Sequence, residues 1–364
     1  MNEIPFFDHK VIHEKLQHDI LSAVKKVLES NSIVLGHEVT TFENRVNNYL
    51  GSRYAIGVNS GLDAMILSLK VAGVKEGDEV IVPSNTYIAT WLAVTQAGAM
   101  PIPVEPKLDT YNIDESQIQR AITSKTKAIL PVHLYGLPCE MYKIMQIAHE
   151  YKLIVIEDNA QAFGVDVSGI KTGNIGDINA LSFYPTKNLG AIGDAGMIIT
   201  DNEDYYEKCK SLRNYGSSIR YFNDYLGYNS RMDEIQAAIL NVKLEYIDQW
   251  IDEKRKMAAI YNEGLKHING LKLPIEAVNH SYHLYVVKCD SREELMQHLI
   301  KNKISTLIHY PVPPHLQLCY KFLGYNRGDF PIAEHLADTL LSLPMYIGLK
   351  DQAKVIEAII EFYK

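Results

Sequence analysis

Between Tyr54 and Glu157 the hydrophobic period switches repeatedly, from short apolar runs to segments with helical spacing. The short runs are Tyr54–Asn59, Glu79–Pro83, Pro101–Val104, Lys127–Val132 and Leu153–Glu157. Between them the spacing predicts helices over Leu62–Val74, Ile88–Ala97, Glu115–Ile122 and Glu140–Tyr151. Apolar strands that alternate with helices predict a parallel sheet covered on both faces, since each crossover helix returns the chain to the same end of the sheet. Two helices, over about residues 8–30 and Val39–Leu50, precede the alternation. After Asp158 the pattern changes. Ala180–Tyr184 and Gly196–Asp201 read as strands flanking a glycine-rich stretch, a partly antiparallel edge of the same sheet. A long helical stretch, about Asp233–His267 with a bend near its middle, then leads into a smaller α+β unit. That unit has predicted strands at Leu284–Lys288 and Ile304–Ile308, and helices at Arg292–Lys301, Ile332–Leu341 and Gln352–Tyr363. The expected division is a large α/β domain over 1–245 and a smaller α+β domain over 246–364, without a flexible linker.

An apolar content of 47% in 364 residues excludes disorder as the dominant state. A net charge of −8 argues against nucleic acid as a partner, though it leaves room for one local anion pocket. Cys139, Cys209, Cys289 and Cys319 lie far apart with no Cys-x-x-Cys pair. A zinc ribbon and a disulfide framework are excluded, no metal is expected, and reduced thiols suit a cytoplasmic protein. The N-terminal segment is charged, and no apolar run approaches ~18 residues, so neither a signal peptide nor a membrane span is expected.

A dinucleotide fold would place Gly-x-Gly-x-x-Gly after the first strand. Here that strand ends in Asn59-Ser60-Gly61-Leu62-Asp63, with one glycine, and Gly190, Gly193 and Gly196 lie between later strands. Asn59-Ser60-Gly61 still leads directly into a helix, and free N–H groups at such a junction favour an anion. The junction reads equally as a plain N-cap by Ser60. Glu157-Asp158 ends the most apolar strand, where open α/β sheets hold their ligands. A carboxylate there is either a helix cap or a charge partner. Lys187 follows another apolar strand, in Ser182-Phe183-Tyr184-Pro185-Thr186-Lys187. A lone lysine is ordinarily a solvated surface group. An anion site, a strand-end aspartate and a strand-end lysine together match the needs of pyridoxal phosphate: a phosphate cup, a partner for the ring nitrogen and an amine for a Schiff base.

The segments NSGLDA, GDEVIVPSNTYIAT, PVHLYG, EDNAQAFG, SFYPTKNLGAIGDAG and YNSRMDEIQAAIL resemble the nucleotide-sugar aminotransferases of the DegT/DnrJ/EryC1/StrS family, over nearly the whole chain. The resemblance implies the aspartate-aminotransferase-like α/β fold (fold type I of the pyridoxal phosphate enzymes), with a large, mainly parallel mixed sheet flanked by helices and a smaller C-terminal α+β domain. It also implies a homodimer with active sites shared between subunits. Residue by residue, Lys187 matches the Schiff-base lysine, Asp158 the pyridinium partner, and Gln161 the neighbour of the phenolic oxygen. Ser182, with the backbone at Gly61 and Leu62, matches the phosphate cup, and Tyr87 the aromatic over the ring. Asn229 matches an asparagine that reaches the phosphate from the other subunit. Leu62 replaces a frequent Thr and so loses a hydroxyl contact, and Phe163 stands where many relatives have His.

Within the family, Lys187-Asn188-Leu189-Gly190-Ala191-Ile192-Gly193-Asp194-Ala195-Gly196, His309-Tyr310-Pro311 and His315-Leu316-Gln317 look most like enzymes that aminate carbon 3 of dTDP-3-oxo-6-deoxyhexoses. L-glutamate is the implied donor. The expected product is a dTDP-3-amino-3,6-dideoxyhexose for polysaccharide or metabolite biosynthesis. Expected substrate contacts are Tyr184, Asn188, Arg220, His309, Tyr310 and His315, with Arg231 a second cation for the diphosphate. The alternatives are a carbon-4 enzyme of the same family, a dehydratase, against which Lys187 argues, and a non-catalytic cofactor-binding regulator.

Overall fold

The structure is a computed structural model and describes residues 3–364. Helices α1 (Lys10–Glu29) and α2 (His37–Leu50) precede β1 (Tyr54–Val58). Then α3 (Gly61–Val71), β2 (Glu79–Pro83), α4 (Ile88–Ala97), β3 (Met100–Val104), α5 (Glu115–Ala121), β4 (Thr126–Ile129), α6 (Met141–Tyr151) and β5 (Ile154–Val155) alternate as predicted. Polar side chains start several helices: Ser60 accepts from the Asp63 N–H at α3 and Asp114 from the Ser116 N–H at α5. A small hairpin, β6 (Asp166–Val167) and β7 (Ile170–Lys171), leads to β8 (Ile178–Ser182) and β9 (Gly196–Thr200). Helix α7 (Glu203–Leu212) and the exposed hairpin β10 (Ser217–Ile219) and β11 (Phe222–Asn223) follow. The long helical stretch is α8 (Glu234–Leu244) and α9 (Ile247–Leu265), broken at Glu245–Tyr246. The chain ends with β12 (Tyr285–Lys288), α10 (Arg292–Lys301), α11 (Pro331–Thr339), β13 (Leu340–Leu343) and α12 (Gln352–Phe362).

Strands β3, β2, β4 and β5 are parallel neighbours in that order. Parallel bridges Val132–Asp158 and Asp158–Ala180 join them to the group β8-β9-β1, so Asp158 sits mid-sheet. Strand β9 runs antiparallel to both its neighbours. The antiparallel pairing of β8 with β9 agrees with the sequence reading; their place at the edge does not. Strand β1 covers β9 from outside, 138–146 residues away in register terms. Strand order is set by such distant pairing, which a local hydrophobic period does not encode. Two smaller corrections concern the C-terminal unit. Leu340 and Leu341 leave the predicted helix and open β13, which pairs with β12. Ile304–Ile308 forms two isolated bridges, Ile304 with Ile4 and Leu307 with Ser342, rather than a strand.

Alternate residues of a strand face opposite sides of the sheet. Accordingly Met197 and Ile199 of β9 join a core with Phe42, Phe183, Trp250 and Tyr261, and Ile198 joins one with Leu67, Trp91 and Val94. The first core continues through Tyr285 and Leu341, packing residues from both sides of position 245 together. The sheet is thus a doubly covered floor, and the carboxyl ends of its parallel strands lie together with the amino end of β9 along one side.

Candidate active site

Asp158 follows β5 and is 6% exposed. Its Oδ2 accepts from Thr90 Oγ1 at 3.0 Å and its Oδ1 from the Ala160 N–H at 3.2 Å. Burial pushes this carboxyl above its ordinary value, outweighing those bonds and the pull of Lys187. Glu157, one residue earlier, points the other way. It accepts from the backbone N–H groups of Gly173, Ile175 and Gly176 and pairs with His133 Nε2 at 2.8 Å. His133 Nδ1 accepts from the Cys139 N–H, so the ring's proton lies on Nε2. Of the two strand-end carboxylates, Glu157 pins a loop and Asp158 faces the cleft.

Lys187 lies on a tight turn after β8. The turn is closed by Phe183 N–H to Ala195 O (2.8 Å), Ala191 N–H to Phe183 O (2.8 Å) and Lys187 N–H to Tyr184 O (2.9 Å). Burial lowers the Lys187 amine to about 8, while Asp158 pulls it upward. For both partners desolvation outweighs their mutual attraction, so each is short of counter-charge. Beside them the N-terminus of α3 opens. The Gly61 and Leu62 N–H groups meet no acceptor among the described residues. A Cβ at Gly61 would lie 2.7 Å from Ser182 Cβ and 3.1 Å from Ser182 Oγ. Only glycine leaves this cradle open, and two free amides and a hydroxyl converge on it.

The far side of the cleft is aromatic. Tyr87, half exposed at the start of α4, has its ring centroid 5.1 Å from that of Tyr310. Gln161 Oε1 accepts from the Tyr135 N–H at 2.5 Å, which orients the amide so that Nε2 donates to Tyr310 Oη at 3.1 Å. The Tyr135 hydroxyl donates to the His309 carbonyl. His309 Nδ1 meets Ser342 Oγ at 2.8 Å, and burial, with Lys187 nearby, takes its imidazole down to about 4. It is therefore neutral at pH 7.

The structure therefore gathers Lys187, Asp158, Gly61, Leu62, Ser182, Tyr87, Gln161, His309 and Tyr310, with the half-exposed Tyr184 three residues from Lys187. The other expected substrate contacts are engaged by neighbours within the chain. His315 is 1% exposed and its Nε2 meets Glu334 Oε1 at 3.0 Å. Asn188 binds the Phe163 carbonyl through Nδ2 and Lys254 Nζ through Oδ1, each at 3.3 Å. Phe163 packs against Phe183 and Tyr49, an apolar place with no polar role. Arg220 lies at the exposed hairpin turn, its guanidinium 5.0 Å from the Tyr221 ring centroid, and Arg231 is held by Asn214. The exposed Asn229 makes no side-chain hydrogen bond among the described residues. Sequence reasoning missed Thr90, Tyr135, His283 and Lys254. Lys254 carried a signal: it falls on the apolar stripe of α9, Ile247, Trp250, Ile251, Met257, Ala258, Tyr261, Leu265.

The sequence pattern of the DegT/DnrJ/EryC1/StrS aminotransferases matches residues 14–360. The chain belongs to this family. A relative from Aneurinibacillus thermoaerophilus, dTDP-3-amino-3,6-dideoxy-alpha-D-galactopyranose transaminase, is 45% identical over 98% of both chains. Among solved structures, DesV of S. venezuelae superposes with a TM-score of 0.97 at 41% identity, covering 100% of this aminotransferase and 99% of DesV. NtdA from Bacillus subtilis, solved with bound cofactor PMP, gives 0.92 at 32% identity, covering 100% and 86%. The fold is therefore that of fold type I sugar aminotransferases. Among the described residues, no helix is long and apolar enough to cross a membrane.

Proposed function

We propose that this sugar aminotransferase moves the amino group of L-glutamate to carbon 3 of a dTDP-3-oxo-6-deoxyhexose, giving a dTDP-3-amino-3,6-dideoxyhexose and 2-oxoglutarate. The observation that carries the site assignment is the convergence of the Gly61 cradle, the buried Asp158 and the desolvated Lys187. Carbon 3 is supported by the 3-amino-sugar transaminase named among the relatives.

The residues fit pyridoxal 5′-phosphate, the cofactor of the family. The Gly61 and Leu62 amides and Ser182 Oγ would bind its phosphate, Tyr87 would cover the ring, and Gln161 Nε2 would hold the phenolic oxygen. Bound there, the cofactor supplies a carrier for the amino group and a sink for the electrons released at the reacting carbon. Asp158, short of counter-charge, would keep a ring nitrogen set against it protonated, since an anion favours the charged form of its partner. Lys187 Nζ, lowered toward neutrality, would take the proton from the donor's α-carbon as general base and give it up again as general acid. In the second half it works in reverse on the sugar. Neutral His309 and Tyr310 suit the sugar's hydroxyls. The active form is a homodimer in which the partner subunit's Asn229 completes the phosphate cup. Incubation with L-glutamate and dTDP-3-oxo- or dTDP-4-oxo-6-deoxyhexoses tests the reading. An amino sugar formed from the 3-oxo substrates supports it; one formed from the 4-oxo substrates alone overturns the carbon-3 assignment.

A further inference from the structure

Lys254 is 4% exposed on α9. An ammonium group has three donors. One meets Asn188 Oδ1 at 3.3 Å, and no carboxylate pairs with it among the described residues. His283, 5% exposed, has an Nδ1 with no hydrogen-bond partner among the described residues. Lys254, His283 and Lys187 lie within electrostatic reach of one another. The His283 segment is fastened to the site wall: Ser281 Oγ donates to the carbonyls of Gly136 at 3.3 Å and Gln161 at 3.2 Å. A Cβ at Gly136 would meet Ser281 Oγ at 2.1 Å and the His283 backbone N at 2.9 Å. Through Asn188, the chain neighbour of Lys187, a second buried lysine is tied to the catalytic turn, and an unsatisfied imidazole nitrogen lies within its electrostatic reach. A buried cation without an anion is costly, and the described residues supply none for this one.

An α-amino acid brings the missing anion. By covalent geometry its carboxyl carbon lies about 2.5 Å from its amino nitrogen. Wherever the amine meets Lys187, a carboxylate must enter the same corner. The sugar carries only hydroxyls around its reacting carbon. We propose that Lys254, with His283 beside it, receives the carboxylate of the amino donor, so that one cleft serves an anionic amino acid and a neutral sugar ring in turn. The proposal rests on the aminotransferase reading above. Burial lowers Lys254 to about 8, which leaves it charged at pH 7.

The test follows the absorbance of the holoenzyme's cofactor on addition of L-glutamate alone. It also follows the thermal shift produced by glutarate, which has the same two carboxylates and no amine. For Lys254→Met the dissociation constants of both rise by about 30-fold, the scale of a lost charge-assisted bond. Lys254→Arg recovers part of the loss. The affinity for the 3-amino-sugar nucleotide changes by less than about 3-fold, since that ligand has no carboxylate to pair. Lys254→Gln replaces the Met variant where the latter fails to fold. Wild-type binding of glutamate and glutarate by the variants overturns the proposal, as does an equal loss for the amino sugar. A wild-type holoenzyme that glutamate does not convert overturns the donor reading and this proposal with it.

Discussion

Replacing Lys254 with methionine is expected to stabilise the cofactor-free protein. The amine is lowered from 10.5 to about 8 by burial, with Lys187 adding to it. At 1.36 kcal/mol per unit, the native state bears roughly 3 kcal/mol for keeping that charge inside. The sign follows from the depressed native value. Below pH 8 the lysine is protonated in both states and the full cost is present. Between about pH 8 and 10.5 the native lysine gives up its proton first, the unfolded chain holds more protons, and the cost fades as pH rises. Methionine has a similar volume and no charge. It leaves Asn188 Oδ1 without its donor, which costs about 1 kcal/mol. The net gain is roughly 2 kcal/mol at pH 7 and about zero by pH 10. Urea unfolding of both proteins, stripped of cofactor and at one protein concentration, measures it. A methionine variant less stable than wild type at pH 7, or a difference that is the same at pH 7 and 10, would refute the reasoning.

Two further outcomes are expected. Asp158→Ala keeps part of its affinity for the cofactor through the Gly61–Ser182 cradle but loses turnover by at least about 100-fold. Its melting temperature falls little, since among the described residues the side chain holds only Thr90 and the Ala160 N–H; near-normal kcat refutes the ring-nitrogen role. Inactive Lys187→Ala and inactive Asn229→Glu chains, mixed under conditions of proven subunit exchange, regain activity, because one site per heterodimer then has both a good lysine and a good asparagine. No recovery refutes the shared site.

The parts of this site that sequence alone made legible are those fixed by local pattern. An apolar strand that ends in an acid, a serine–glycine helix start and a lysine after a strand each carry their chemistry within a few residues. What was illegible depends on distant partners. Strand β1 pairs with β9, so the strand that precedes the phosphate cradle lies at the far edge from β2. Glu157 and Asp158 look alike in sequence, but the strand's alternation sends one to the Gly173–Gly176 loop and the other to the cleft. His315 is engaged by Glu334, nineteen residues on, and Asn188 by Lys254, sixty-six residues on. Lys254 went unread although it is a charge on an apolar helical stripe, and its meaning rests on what the fold sets opposite it.

Lys187, itself partly buried, is not the only desolvated lysine: Lys254 and Lys243 are 4% and 3% exposed, and burial lowers each of the three to about 8. Environment alone therefore does not choose among them; position after β8, opposite Asp158, does. Borohydride treatment of the holoenzyme followed by peptide mass mapping asks the question directly. The account predicts the added cofactor mass on Lys187 and on neither of the others. Cofactor mass on Lys254 or Lys243, or on no lysine, would contradict it.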